Sequence, residues 1–161
     1  MDIYEFAIKM EKDGEHYYRQ LASMASNAGF KKIFTMLADA EVVHQAVFRK
    51  MKDNDKVKVS RTNILAGVKN IFEAMREDKD SGDGNIIQTE LYKKARELER
   101  QSRDFYLEYA KKVKDEGQKE TFLKIADEEK KHYFILEEII DFVSRPQTWL
   151  ENPEWYHIEE Y

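Results

Sequence analysis

Two segments of the chain, ADAEVVH at 38–44 and ADEEKKH at 126–132, each place a glutamate three residues ahead of a histidine. On a helix three residues span about 300° of turn, so Glu41 and His44 project from one face, as do Glu129 and His132. A carboxylate and an imidazole held side by side are ligands for a divalent cation. One such pair is a weak signal, because chance produces it often. Two in matching context, 88 residues apart, carry more.

The echo runs well beyond the motif. Laid without a gap on 95–132, residues 7–44 give 11 identities in 38 positions. Among these, Ala7 falls on Ala95, Glu11 on Glu99, Tyr18 on Tyr106, Gly29 on Gly117 and Phe34 on Phe122. Met10 and Leu98 are a conservative pair in the same register. A long period repeated twice predicts a fused duplication rather than a solenoid. It also adds Glu11 and Glu99 to the two motifs, making six ionisable side chains where an apolar stripe is expected. A lone glutamate on a helix is ordinarily solvated, and a lone histidine ordinarily belongs to surface or core. Four carboxylates buried together would require protonation or counter-charge. Two divalent cations cancel four negative charges. A glutamate from each of two helices plus Glu-x-x-His from each of two others is the di-iron or di-manganese carboxylate arrangement. Oxygen and imidazole ligands suit iron or manganese and also admit zinc.

Four long helices must position these residues. The apolar spacing predicts the first from Ile3 to about Ala25, with Glu11 inside its stripe. Ser26-Asn27-Ala28-Gly29 reads as a turn, short enough to join antiparallel neighbours. A second helix follows with Ile33, Phe34, Leu37, Phe48 and Met51 on the side of Glu41 and His44. Residues 53 to about 85 lie outside the repeat: a loop, a short amphipathic helix from Ile64 to Met75, and a breaker, KDSGDGN. A link of that length can return the chain along the bundle, so that the second hairpin enters parallel to the first. The third helix is predicted at about 86–114 and the fourth at about 118–143, ended by Pro146. The expected architecture is therefore all-α: a four-helix bundle over 1–145, two helical hairpins joined by a long crossover. Residues 146–161 form an aromatic, acidic tail, expected to fold over the bundle or meet a second subunit.

Composition narrows the function. A net charge of −5 without a basic block argues against nucleic acid as a partner. With no run of 18 apolar residues and no signal-peptide pattern, a cytoplasmic protein with no membrane partner is expected. The absence of cysteine excludes disulfides, thiolate metal sites and a built-in rubredoxin-type iron centre.

These motifs resemble rubrerythrin-like members of the ferritin-like superfamily, over about 1–143, and the ending WLENPEWYHIEEY is similar to that of small rubrerythrin-related proteins. The resemblance implies two iron ions, with manganese or zinc as alternatives. Glu41 and Glu129 would bridge them, Glu11 and Glu99 would be terminal carboxylates, and His44 and His132 would each hold one metal. It implies that Tyr18 and Tyr106 hydrogen-bond ligand carboxylates, and that Glu128, the acid before a motif glutamate, orients His44. The matching slot in the first half is Ala40. Rubrerythrins carry a further carboxylate near Gln101 or Ser102, and neither residue can supply the ligand shift it provides. The implied activity is that of an oxidoreductase acting on hydrogen peroxide or dioxygen, with electrons from a separate donor protein and a homodimeric assembly. Iron handling by ferroxidase action, or a non-catalytic metal-stabilised bundle, are the alternatives. His16, Asp39, Asp127 and His157 are expected to do no chemistry, Asp39 and Asp127 being solvated or interhelical.

Overall fold

The computed structural model describes residues 2–77 and 86–144. Helix α1 spans Ile3–Met24, α2 Ala28–Lys52, α3 Ile64–Glu77, α4 Ile86–Lys112 and α5 Glu116–Ser144. No strand occurs among the described residues. The starts follow from local chemistry. Asp2 accepts a hydrogen bond from the Glu5 N–H at 2.8 Å, Asn27 from Phe30 at 3.0 Å, and Asp115 from Gln118 at 3.0 Å. Each satisfies an amide that the first helical turn leaves without a partner. Gly29 belongs to α2 rather than to the turn before it. A Cβ there would lie 2.5 Å from Met75 Sδ, so its bare backbone is what admits α3. The breaker at 79–85, Pro146, His157 and the tail lie outside the described residues.

α1 packs along α2, and α4 along α5, as two hairpins, while α3 in the crossover lies against α2 and α5. Two apolar layers fill the bundle. One gathers Tyr18, Phe34, Leu37, Phe72, Tyr92, Ala95, Ile135 and Phe142. The other gathers Ala7, Phe48, Tyr106, Phe122 and Ile125. Each large apolar side chain buried in this way contributes about 1.5–3 kcal/mol, which lets the bundle tolerate a polar slab between the layers.

The layers also give the direction of each helix. α1 starts in the second layer at Ala7 and reaches the first at Tyr18, and α5 likewise passes from Phe122 to Ile135. α2 and α4 run the opposite way, from Phe34 to Phe48 and from Ala95 to Tyr106. The crossover carries the chain back, with Val59 in the second layer and Ile64, Val68 and Phe72 in the first. The parallel entry expected for the second hairpin is thus incorrect. α4 is parallel to α2 and antiparallel to α1. Side chains agree: the Phe6 and Phe105 rings lie 5.0 Å apart, while the Tyr17 hydroxyl donates to the Leu91 carbonyl at 2.7 Å. The physical reason is that the crossover spans the bundle's whole length and so brings α4 in at the end where α2 began. The duplicated halves are consequently related by an approximate two-fold axis across the bundle.

Candidate metal centre

Each long helix crosses the slab between the two layers and delivers its polar residues there. α1 brings Glu11, α2 Glu41 and His44, α4 Glu99, and α5 Glu129 and His132. All six are at most 4% exposed. They fall into two sets, Glu11, Glu41, His44 and Glu129, and Glu41, Glu99, Glu129 and His132. Within each set one ligand atom per residue lies within 4.8 Å of the others, close enough to hold a metal ion. The sets share Glu41 and Glu129, and the duplication exchanges one set for the other.

The distances respect that two-fold relation. His44 Nδ1 lies 3.1 Å from Glu129 Oε1 and 3.5 Å from Glu11 Oε2. His132 Nδ1 lies 3.3 Å from Glu99 Oε1 and 3.5 Å from Glu41 Oε1. The imidazoles are near parallel, their centroids 5.9 Å apart. Tyr18 donates to Glu99 Oε1 at 2.5 Å, and Tyr106 to Glu11 Oε1 at 2.8 Å. Each tyrosine sits seven residues after one carboxylate and bonds the other, a reciprocity that only antiparallel α1 and α4 allow.

Charge is arranged unevenly over the four glutamates. Burial, with the charges of Glu11 and Glu99, pushes Glu41 well above the usual carboxylate range, and burial with the same two charges does so for Glu129. Burial also opposes ionisation of Glu11. A hydrogen bond with Glu41 and the nearby His44 outweigh it and hold Glu11 down to about 2. Glu99 is lowered against its burial by His132, Glu129 and Tyr18. Burial opposes the charging of His44, but Glu11, Glu99 and Glu128 raise it. Burial and the facing carboxylates lift both tyrosines well above their ordinary value, so both hydroxyls stay protonated as donors.

The donor set suits a pair of divalent cations. Glu11 Oε2 and Glu99 Oε2 are fully buried and, among the described residues, accept no hydrogen bond. A buried carboxylate oxygen without a partner is costly. A cation between these oxygens and the imidazoles would satisfy both.

Glu128 has a different task from the one its position suggests. Its Oε1 accepts from the Thr62 N–H at 3.1 Å, and its Oε2 pairs with Lys131 Nζ at 2.5 Å. Among the described residues no hydrogen bond joins it to His44. It reaches that imidazole through its charge alone. The correction has a simple cause: the crossover loop passes over α5 here, and its Thr62 amide together with Lys131 engages both carboxylate oxygens. Thr62 and Lys131 gave no sequence signal, since a loop residue's tertiary partner leaves no periodicity. Asp39 is exposed and pairs with Arg19 of α1 at 2.9 Å, an interhelical role, and His16 is exposed.

A cavity of about 150 Å³ opens from the cluster between α1 and α4, and Gln101 and Ser102 are on its wall. Gly14 also lines it. A Cβ at Gly14 would stand 3.2 Å from Glu41 Oε2, so a larger residue would press on that carboxylate.

A family model described as Rubrerythrin matches residues 2–140. No curated protein and no solved structure matches the chain. No helix among the described residues is long and apolar enough to cross a membrane.

Proposed function

The chain belongs to the rubrerythrin family, and from that premise we propose that it is a di-iron oxidoreductase acting on hydrogen peroxide or dioxygen. The observation that carries the reading is the pair of buried Glu/His sets sharing two glutamates. Glu11 and His44 would hold one ion, Glu99 and His132 the other, and Glu41 and Glu129 both. When bound, two ferrous ions supply the pair of electrons needed to cleave an O–O bond.

The chain's own residues supply the setting. Tyr106 and Tyr18 fix one oxygen of Glu11 and of Glu99, which leaves the second oxygen of each aimed at the cluster. The two apolar layers flank the slab, and a cavity opens from it between α1 and α4. Burial and the neighbouring carboxylates disfavour charge on Glu41 and Glu129, a penalty that arriving cations would relieve. A separate donor protein supplies the electrons.

The test is metal analysis of protein isolated from cells, followed by turnover of the iron-loaded form with hydrogen peroxide and with dioxygen in the presence of a reductant. Catalytic loss of either oxidant is the expected result. Accumulation of many irons per chain without such loss would replace the reading with iron handling. A zinc-loaded site that stays inert after iron reconstitution would replace it with a stabilising role.

A further inference from the structure

The cavity between α1 and α4 is framed by three pairs of positions that the duplication equates: Met10 with Leu98, Asp13 with Gln101, and Gly14 with Ser102. It therefore lies on the approximate two-fold axis. Its floor is Glu41, Glu99 and Glu129, while neither histidine lines it. An incoming molecule meets carboxylates first, with the imidazoles behind them.

Size and chemistry restrict what fits. A void of roughly 150 Å³ is large enough for a six-carbon ring, whereas hydrogen peroxide has two heavy atoms and would leave most of it unfilled. Met10, Leu98, Ala95 and the Tyr17 ring give the walls an apolar character, and Asp13 and Gln101 stand exposed at the rim. Gly14 and Ser102 are small where the helices face each other, which is what keeps the space open. An apolar sleeve above a polar floor is the form of a site for a molecule with a short hydrocarbon body and one polar head.

We propose that this cavity receives the alkyl part of a small organic hydroperoxide, ROOH, with its O–O head on the floor. This rests on the peroxide reading above and sharpens it to a substrate class. The reaction balances as two electrons and two protons added to ROOH. The O–O bond breaks and ROH and water leave, the electrons arriving singly from the same donor protein. Hydrogen peroxide is the case in which R is hydrogen, and it gains nothing from the sleeve.

The test separates binding from turnover. With the site loaded with redox-inactive zinc, tert-butanol, the unreactive analogue of tert-butyl hydroperoxide, should shift the Met10 methyl resonance saturably. Ser102→Leu fills the cavity and should weaken that binding about tenfold or more, the range one or two methylenes command in an apolar pocket. In iron-loaded protein the same variant should lower the kcat/KM ratio of tert-butyl hydroperoxide to hydrogen peroxide by a similar factor. Met10→Ala enlarges the cavity and should move the ratio towards bulkier hydroperoxides, a direction that general damage to the bundle would not produce. Matching melting curves establish that the variants fold. No saturable shift in the wild type, or equal ratios in all three proteins, overturns the proposal. Tert-butanol binding with neither peroxide turned over overturns the peroxide reading and leaves the cavity a binding site for small alkyl groups.

Discussion

The neighbours Glu128 and Glu129 show how one residue of offset separates two roles. Glu129 faces the cluster and belongs to both ligand sets, whereas Glu128 faces the crossover. Glu129→Ala should therefore abolish binding of at least one metal, and Glu128→Ala should leave both bound. Metal stoichiometry of the two purified variants decides it, and the opposite pattern would put the register off by one. The tyrosines allow a second test. Tyr106→Phe removes the donor from Glu11 Oε1 and leaves a buried acceptor unpaired, a loss of about 1–3 kcal/mol. Chemical denaturation measures it, and an unchanged midpoint would mean that Glu11 finds another donor.

At the scale of elements, the crossover is tied to α5 by a part-buried clamp. Glu128 accepts from the Thr62 N–H, and Lys131 pairs with Glu128 and donates to the Thr62 carbonyl at 3.5 Å. Lys131→Met keeps most of the side chain's volume but strips Glu128 of its counter-charge. The expected cost is on the order of 1–3 kcal/mol, with faster amide exchange confined to the crossover loop; uniform exchange would mean the clamp is not local. This clamp also marks where the sequence stopped being informative. Helical periodicity located α1, α2, α4 and α5 and the short α3 to within a few residues of their ends, because an apolar stripe reports which face is buried. It brought six polar residues to one level for the same reason. A stripe reports nothing about which way a helix runs relative to one 88 residues away, so it leaves the orientation of the second hairpin open. Nor does it report what a passing loop offers, so the position of Glu128 on α5 does not reveal Thr62 as its partner.

For the whole molecule, the uneven charging of the cluster ties stability to pH and metal. Glu41 and Glu129 have raised values in the fold, so their stabilising effect is present below the ordinary carboxylate range and is lost as pH rises through those values. Glu11 and Glu99 are lowered, so theirs is present above that range and is lost as pH falls, for Glu11 towards about 2. Metal-free protein should thus melt highest in mildly acid solution and lower at neutral pH. Cations reverse the neutral-pH loss, because they replace the protons. A hundredfold excess over Kd adds about 2.7 kcal/mol. Chelation should lower Tm strongly at pH 7 and weakly at pH 5. Identical melting curves with and without chelator at pH 7 would refute the buried site.

The clamp has one more consequence, because the duplication did not copy it. The positions matching Glu128 and Lys131 in the first half are Ala40 and Val43, and Val43 is 57% exposed. Glu128 lends its negative charge to the surroundings of His44. Lys131 offsets part of that charge, and the remainder makes the His44 position the more attractive to a cation. Two slots with matching ligands would then fill in a fixed order. Titration with cobalt(II), followed by its visible absorption, should show two steps, the tighter one disappearing in His44→Ala. In Glu128→Gln the steps should draw together; a single step in the unmodified protein would mean that the slots are electrically alike.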